Sequence, residues 1–196
     1  NRTQELFSIS FPLYCSEYNQ GCKGGFSSLM SRWNQDVGLV PATCAPYSTS
    51  GSCEQYRKCE HAQLGQQWRA DNHRYIGGYY GASKEANMME EIYNRGPIAI
   101  AIEPQDDFMY YSHGVYEHAS AVFDEWAKVD HAVLMTGWGE EEGKKYWRVQ
   151  NSWGPDWGEA GTFRIRRGVD ESAVEAQAIF ATVEKTSEVP NLGIYA

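Results

Sequence analysis

The sequence lacks long apolar runs and has few basic residues, and each shortage excludes a class of protein. No apolar stretch approaches the roughly 18 residues of a membrane-spanning helix, so we expect no membrane span. With 17 basic against 26 acidic residues, the formal net charge is −9, which argues against nucleic acid or an anionic membrane as the main partner. The first residues have neither the basic end nor the apolar run of a signal peptide. We therefore expect a chain that is mature, processed or incomplete at its front.

The chain contains ample material for a folded core. It has 196 residues, 42% of them apolar, together with 7 Phe, 7 Trp and 13 Tyr. This length and composition indicate one or two folded domains rather than a disordered chain.

Cysteines occur only in the first third of the chain, and their number is odd. Glycine, serine and proline lie between them, a pattern typical of disulfides in a loop-rich segment in an oxidising compartment. A zinc site is the alternative, but no Cys-x-x-Cys occurs and no histidine lies at ligand spacing from a cysteine pair. One thiol must be free or have its partner outside this chain. The five cysteines are Cys15, Cys22, Cys44, Cys53 and Cys59.

The hydrophobic periodicity changes from helical in the front half to strand-like in the back half. Apolar residues at helical spacing predict a helix from Phe26 to Val37 that stops at Gly38, and Ser83 is expected to cap a second helix that ends at Gly96. Residues 1–25 are expected to be irregular and residues 41–82 rich in turns. The predicted strands are 98–102, 131–135, 145–151 and 163–166. This order indicates an α+β protein.

The predicted domain organisation follows this change of period. It comprises a helical, disulfide-stapled region at 1–97, a β-rich region at 98–183 and a tail at 184–196.

Two residues of the predicted strands form a candidate catalytic pair. The polar loop 140–144 favours a hairpin whose paired residue numbers sum to about 283. His131 and Asn151 sum to 282, so we expect them to face each other across the hairpin. An asparagine amide at this place can fix the tautomer of the histidine, as in nucleophilic triads. A structural role for either residue alone is the competing interpretation.

No nucleophile for this pair is evident within the chain. The sequence has no Gly-x-Ser-x-Gly elbow. None of its cysteines lies in the Cys-Gly-Ser-Cys-aromatic context of papain-type nucleophiles, which precede their histidine by about 130–150 residues. Counting back from His131 places such a cysteine at about position 1 or upstream. We therefore expect the nucleophile on a segment that precedes Asn1.

Several motifs resemble those of the papain family of cysteine peptidases. They are NSWGPDWGE at 151–159 followed by GTFRI at 161–165, DHAV at 130–133, and Cys15 with GCKGG at 21–25. Further runs resemble the cathepsin C branch of this family: RYIGGYYG at 74–81, DDF at 106–108 leading to GVY at 114–116, and RRGVDE at 166–171. The resemblance implies a two-lobe fold in which a helical lobe, incomplete at its N-terminus, packs on an antiparallel sheet or barrel lobe.

The resemblance also implies roles for individual residues. His131 would be the imidazolium partner of the thiolate, Asn151 would orient it, and Trp153 would shield their hydrogen bond. Substrate would bind at Gly24, Gly25, Phe26, Asp130 and Gln177. Tyr75 would help to hold a chloride ion, although a core tyrosine is the competing interpretation; no other cofactor is implied. A tight turn for the two glycines and a core position for Trp153 also remain open.

The cysteine pairing is likewise implied only by the resemblance. It pairs Cys15 with Cys53 and Cys44 with Cys59, which leaves Cys22 for a cysteine on the upstream segment. Four cysteines alone would allow three pairings.

The chain departs from the cathepsin C pattern in several places. Ser27 and Ser28 stand where larger residues are usual beside the pocket, and Gln177 makes the expected pocket floor polar. The exclusion domain that captures the substrate's amine in cathepsin C has no counterpart in this sequence.

The resulting hypothesis is a cysteine peptidase that removes N-terminal dipeptides from peptides or proteins. Its expected partners are the upstream segment with the catalytic cysteine, linked through Cys22, and an exclusion domain. The expected location is the secretory pathway, a lysosome or similar acidic compartment, or the outside of the cell, and Asn1 begins a glycosylation sequon. The alternative is a papain-fold binding or scaffold protein that has lost its nucleophile.

Overall fold

The structure is a computed structural model that describes residues 6–62, 67–118 and 129–186. The sequon at Asn1 and most of the predicted tail lie outside these ranges. The helices are α1 (Ser10–Cys15), α2 (Ser27–Asp36), α3 (Cys53–Ala62) and α4 (Glu85–Arg95), with 3-10 turns at Gly21–Lys23, Asp106–Tyr110 and Glu171–Ala173. The strands are β1 (Gln67–Tyr75), β2 (Ile98–Ile102), β3 (Val115–Tyr116), β4 (His131–Glu141), β5 (Lys144–Gln150), β6 (Thr162–Arg166) and β7 (Ala178–Thr186).

The strands form a seven-stranded sheet in the order β1-β7-β2-β4-β5-β6-β3. Strand β2 pairs antiparallel with β4 and with β7, β4 pairs antiparallel with β5 and β5 with β6, whereas β3 runs parallel to β6. Together with the helices this arrangement confirms the α+β class. No helix in the described ranges is both long and apolar enough to cross a membrane.

The chain divides into two compact units, residues 1–73 with 181–196 and residues 74–180. The sequence instead predicts a boundary after residue 97. The difference arises because α4 packs on β2 and β4 and so belongs with the strands that follow it. Strand β7 also continues to Thr186, so residues 184–186 extend the sheet where the tail was predicted to begin.

The first unit is built on a small aromatic core and two disulfides. Trp33 on α2 is 3% exposed and packs against Phe11 of α1, with ring centroids 5.1 Å apart. Disulfides join Cys15 to Cys53 and Cys44 to Cys59, the same two pairs that the resemblance implies. They fasten α3 to α1 and to the loop after α2.

Three features of the predicted secondary structure are corrected. Residues 1–25 contain α1, and the segment expected to consist of turns contains α3 and β1. Ser83 does not cap α4: the N-cap residue is Lys84, and the Ser83 hydroxyl instead donates to the Glu175 carbonyl oxygen at 2.7 Å. The cap comes instead from Asn87, whose Oδ1 accepts the Lys84 N–H at 2.7 Å. The helix ends at Gly96, where φ is +107°, as the sequence predicts.

The second unit has the larger core, and it lies on one face of the central strands. Strand β2 alternates buried and half-buried residues, and Trp147 and Val149 of β5 are fully buried. Phe108, from the turn Asp106–Tyr110, is also fully buried, and its ring meets Trp153, Trp157 and Phe163 at centroid distances of 4.9–5.7 Å. This aromatic cluster lies beside the ends of β4 and β5.

Candidate active site

His131 and Asn151 are in direct contact. His131 begins β4, Asn151 follows the last residue of β5, and His131 Nε2 lies 2.8 Å from Asn151 Oδ1. Asn151 is only 6% exposed, whereas His131 is half-buried. The side chains thus meet at the edge of the core, where the imidazole keeps access to solvent.

The register that brings them together differs slightly from the predicted one. The hairpin turns at Glu142 and Gly143, both with positive φ, so paired residue numbers sum to 285 near the turn. A bulge between Met135 and Gly137 lowers the sum to 284 at the pair Leu134 and Gln150. His131 and Asn151 are therefore not directly opposite on the ladder, and their contact is made by side chains beyond its last pair.

The hydrogen bonds of Asn151 fix the tautomer of the histidine. Asn151 Oδ1 also accepts the Ser152 backbone N–H at 2.8 Å, which identifies this atom as the amide oxygen. Because a carbonyl oxygen only accepts, His131 Nε2 must donate to it. The nitrogen left to exchange a proton with a reacting group is therefore His131 Nδ1.

The Trp153 ring packs on the His131 ring. Its ring centroid lies 4.9 Å from that of His131, at an interplanar angle of 34°. The indole in turn packs on Trp157 at 5.0 Å and on Phe108 at 5.7 Å. We predict that this aromatic contact keeps water from the hydrogen bond between His131 and Asn151, which would be electrostatically stronger in a low-dielectric setting. Sequence analysis did not identify Phe108 or Trp157 as supports, although DDF and the second tryptophan were among the quoted motifs.

Two clusters of polar side chains stabilise the segments that carry these aromatic residues. Asp107 Oδ1 accepts the Tyr116 hydroxyl at 2.6 Å and lies 3.1 Å from His118 Nδ1. The bond from Tyr116, more than that from His118, lowers the pKa of Asp107. Glu159 pairs with Arg164 at 2.6 Å and accepts the Gly114 N–H at 2.9 Å, and these bonds hold its pKa below the usual range. The first cluster links the turn that carries Phe108 to β3, and the second links the loop that carries Trp153 to Gly114 and β6.

A buried acidic segment precedes Gln177. Glu175 accepts the Trp147 indole N–H at 2.8 Å and the Gly168 N–H at 2.6 Å. Burial, followed by the nearby charges of Glu175 and Glu171, raises the pKa of Asp170 to about 6. The backbone here is strained at three non-glycine residues with φ between +51° and +59°, namely Asp170, Ser172 and Ala173.

The remaining predicted residues of the second unit lie in three places. Asp130 is exposed, and its N–H donates to the Ile102 oxygen at 3.1 Å. Gln177 is 5% exposed, and its carbonyl oxygen is 3.4 Å from the Ala101 nitrogen. Tyr75 is half-buried at the end of β1, with its ring edge-on to Tyr80 at 6.0 Å.

The predicted glycine loop belongs to the first unit. Gly24 has φ +105° and ψ −162°, a conformation that favours glycine, and a Cβ built on it would meet no atom within 4 Å. A Cβ on Gly25 would instead clash with Asn19, whose Oδ1 accepts the Phe26 N–H at 2.7 Å. The contact with the Asn19 side chain therefore leaves no room for a Cβ at Gly25, whereas the backbone at Gly24 is open. Phe26 is 59% exposed, and Cys22 is exposed with a free thiol.

Comparison with known proteins identifies the family to which this site belongs. Residues 2–182 match the family described as papain family cysteine protease, and the chain belongs to that family. Solved structures agree with the fold. Digestive procathepsin L 3 of Tenebrio molitor aligns with a TM-score of 0.78 at 25% identity, over 92% of this chain and 56% of that one. Bromelain from Ananas comosus aligns at 0.75 and 27% identity, over 93% and 80%.

Curated relatives narrow the resemblance within the family. Cathepsin C of Schistosoma mansoni is 36% identical over 186 residues, which cover 90% of this chain and 40% of that protein. Dipeptidyl aminopeptidase 1 of Plasmodium falciparum is 32% identical, over 92% of this chain and 36% of that protein. The chain thus spans well under half the length of these two relatives.

Proposed function

We propose that this chain is the histidine-bearing part of a cysteine peptidase that removes N-terminal dipeptides. The observation that carries the proposal is the bond from His131 Nε2 to an Asn151 oxygen that Ser152 also fixes. It leaves Nδ1 as the reactive nitrogen of a partly exposed imidazole, the arrangement that a thiolate–imidazolium pair requires. The nucleophilic cysteine is supplied by a segment upstream of Asn1.

The proposed mechanism of peptide hydrolysis uses His131 Nδ1, the nitrogen that Asn151 leaves free. The cysteine thiol transfers its proton to His131 Nδ1, and the thiolate attacks the peptide carbonyl carbon to form a carbon–sulfur bond. The imidazolium then returns the proton to the leaving amine as the carbon–nitrogen bond breaks. In the second half, Nδ1 takes a proton from water, which attacks the thioester and releases the acid product and the thiol. Asn151 keeps Nε2 a donor throughout both halves.

The proposed dipeptide specificity and chloride site rest on similarity to the relatives named cathepsin C and dipeptidyl aminopeptidase. Within the described residues the Tyr75 hydroxyl has no hydrogen-bond partner, so it is available to donate to an anion such as chloride. Gly24, with its open backbone, would receive the extended substrate. The two disulfides and the free Cys22 support a secretory or lysosomal route and a covalent link to the upstream segment.

The proposal is tested on the full-length protein with dipeptide amides whose amine is either free or acetylated. We expect hydrolysis of the free-amine substrate, strong preference over the acetylated one, and loss of roughly 1,000-fold or more in kcat/KM with His131→Ala. His113→Ala is the matched control, because it removes an exposed histidine of the same unit that contacts Ser112. Equal rates on the two substrates would refute the dipeptidase, and full activity in His131→Ala would refute the assigned pair.

A further inference from the structure

The loop that carries Asn151 and Trp153 connects the end of β5 to the start of β6. A side chain other than His131 and Asn151 links the two ends of this loop. Strand β5 ends where Gln150 pairs with Thr162, and Asn151 then donates its N–H to the Gly161 oxygen at 2.9 Å. Gln150 Nε2 lies 3.0 Å from the Asn151 carbonyl oxygen and 2.8 Å from the Gly161 oxygen. The side-chain amide of Gln150 thus links the two ends of the loop.

The chemistry of this contact suits a side-chain amide. An amide nitrogen carries two N–H groups, and here it meets two carbonyl oxygens beyond the last pair of the β5–β6 ladder. Gly161 makes room for it, because a Cβ at that position, where φ is +84°, would come within 3.3 Å of Gln150 Nε2. A carboxylate of the same shape would present only acceptors to the two oxygens and would repel them.

Gln150 completes the set of bonds that place Asn151. The Asn151 N–H is held by Gly161, its Oδ1 by Ser152 and His131, and its carbonyl oxygen by Gln150. Releasing the carbonyl frees the backbone from which the side chain extends toward the imidazole. A misplacement of about 1 Å in such a group can cost a reaction up to roughly 100-fold in rate.

We infer that Gln150 is a positioning residue for catalysis, acting through Asn151 on the orientation of His131. This inference rests on the proposed function. It predicts an effect on turnover rather than on substrate affinity, because Gln150 holds the backbone that carries Asn151 and enters the chemistry only through it.

Three variants of the full-length protein separate the effect of hydrogen-bond donation by the side chain at position 150 from the effect of its size. Gln150→Met keeps the length of the side chain but removes its N–H donors. Gln150→Glu places carboxylate oxygens, which only accept, next to the two carbonyl oxygens. Gln150→Lys supplies N–H donors again. We expect kcat to fall roughly 5-fold in Gln150→Met and 10- to 30-fold in Gln150→Glu, with KM within about 2-fold, and to recover in Gln150→Lys. Arg148→Gln is the control, since Arg148 is exposed on the same face of β5.

A second readout does not depend on hydrolysis. In nuclear magnetic resonance, the His131 Nε2 proton should exchange with water several-fold faster in Gln150→Glu than in the wild type. If the full-length protein hydrolyses nothing, faster exchange still supports the positioning role while the proposed function fails. Wild-type kcat in both Gln150→Met and Gln150→Glu, or a change confined to KM, or unchanged exchange, would overturn the inference.

Discussion

The contribution of Asp170 to the free energy of unfolding should be more favourable in acid than at neutral pH. Its pKa is raised from an ordinary 3.8 to about 6, first by burial and then by the charges of Glu175 and Glu171. The folded state therefore binds the proton more tightly than the unfolded state, and stability is lost as the pH rises from about 4 to 6. The full pKa shift of Asp170 corresponds to a loss of roughly 3 kcal/mol in the free energy of unfolding. Because the side chain is partly exposed to solvent, we expect a loss of about 1.5 kcal/mol.

Urea unfolding of the wild type and of Asp170→Asn at pH 4 and pH 7 measures this contribution. Asparagine keeps the shape and the acceptor for the Glu175 N–H but carries no charge. We expect the two proteins to be equally stable at pH 4, and the variant to be about 1.5 kcal/mol more stable at pH 7. Asp156→Asn, which removes an exposed carboxylate, is the control. An Asp170→Asn protein that is no more stable than the wild type at pH 7 would refute the reasoning.

Three further predictions concern the pair, the disulfides and the anion. Asn151→Ala should lower kcat roughly 10- to 100-fold with little change in KM, because the orienting bond is lost while His131 remains. A rise in KM with an unchanged kcat would contradict this prediction. Replacing both Cys44 and Cys59 by serine should cost roughly 3 kcal/mol in urea unfolding, since the disulfide closes a 15-residue separation, and an unchanged midpoint would count against it. Activity on free-amine dipeptide substrates should rise with chloride at constant ionic strength and lose that dependence in Tyr75→Phe; a wild type that is indifferent to chloride would make Tyr75 a core residue.

The candidate site was largely readable from the sequence because it lies on a hairpin. The predicted strands 131–135 and 145–151 overlap β4 and β5, and the short polar loop limited the register to within a few residues of the true one. The bulge after Met135 was not predicted, although a glycine within a strand, here Gly137, often accompanies one. The side chains of His131 and Asn151 are long enough to meet despite the difference.

The elements that were missed lack a periodic apolar signal. Helix α3 has the sequence CEQYRKCEHA, which shows no clear apolar periodicity; Tyr56 and Cys59 are buried, and two disulfides hold the helix. Strand β1, QWRADNHRY, has no run of alternating apolar residues. Their structure comes from tertiary contacts rather than local propensity. For the same reason, the donation from Gln150 to two carbonyls could be seen only in the structure.

The central claim is that His131 and Asn151 serve a thiolate carried by an upstream segment. The most direct measurement is the rate at which iodoacetamide alkylates the cysteines of the full-length protein at pH 5.5, located by peptide mapping. The account predicts one cysteine, upstream of Asn1, that reacts far faster than an ordinary thiol in the wild type and at an ordinary rate in His131→Ala. No fast-reacting cysteine upstream, or one whose rate is unchanged in His131→Ala, would contradict it.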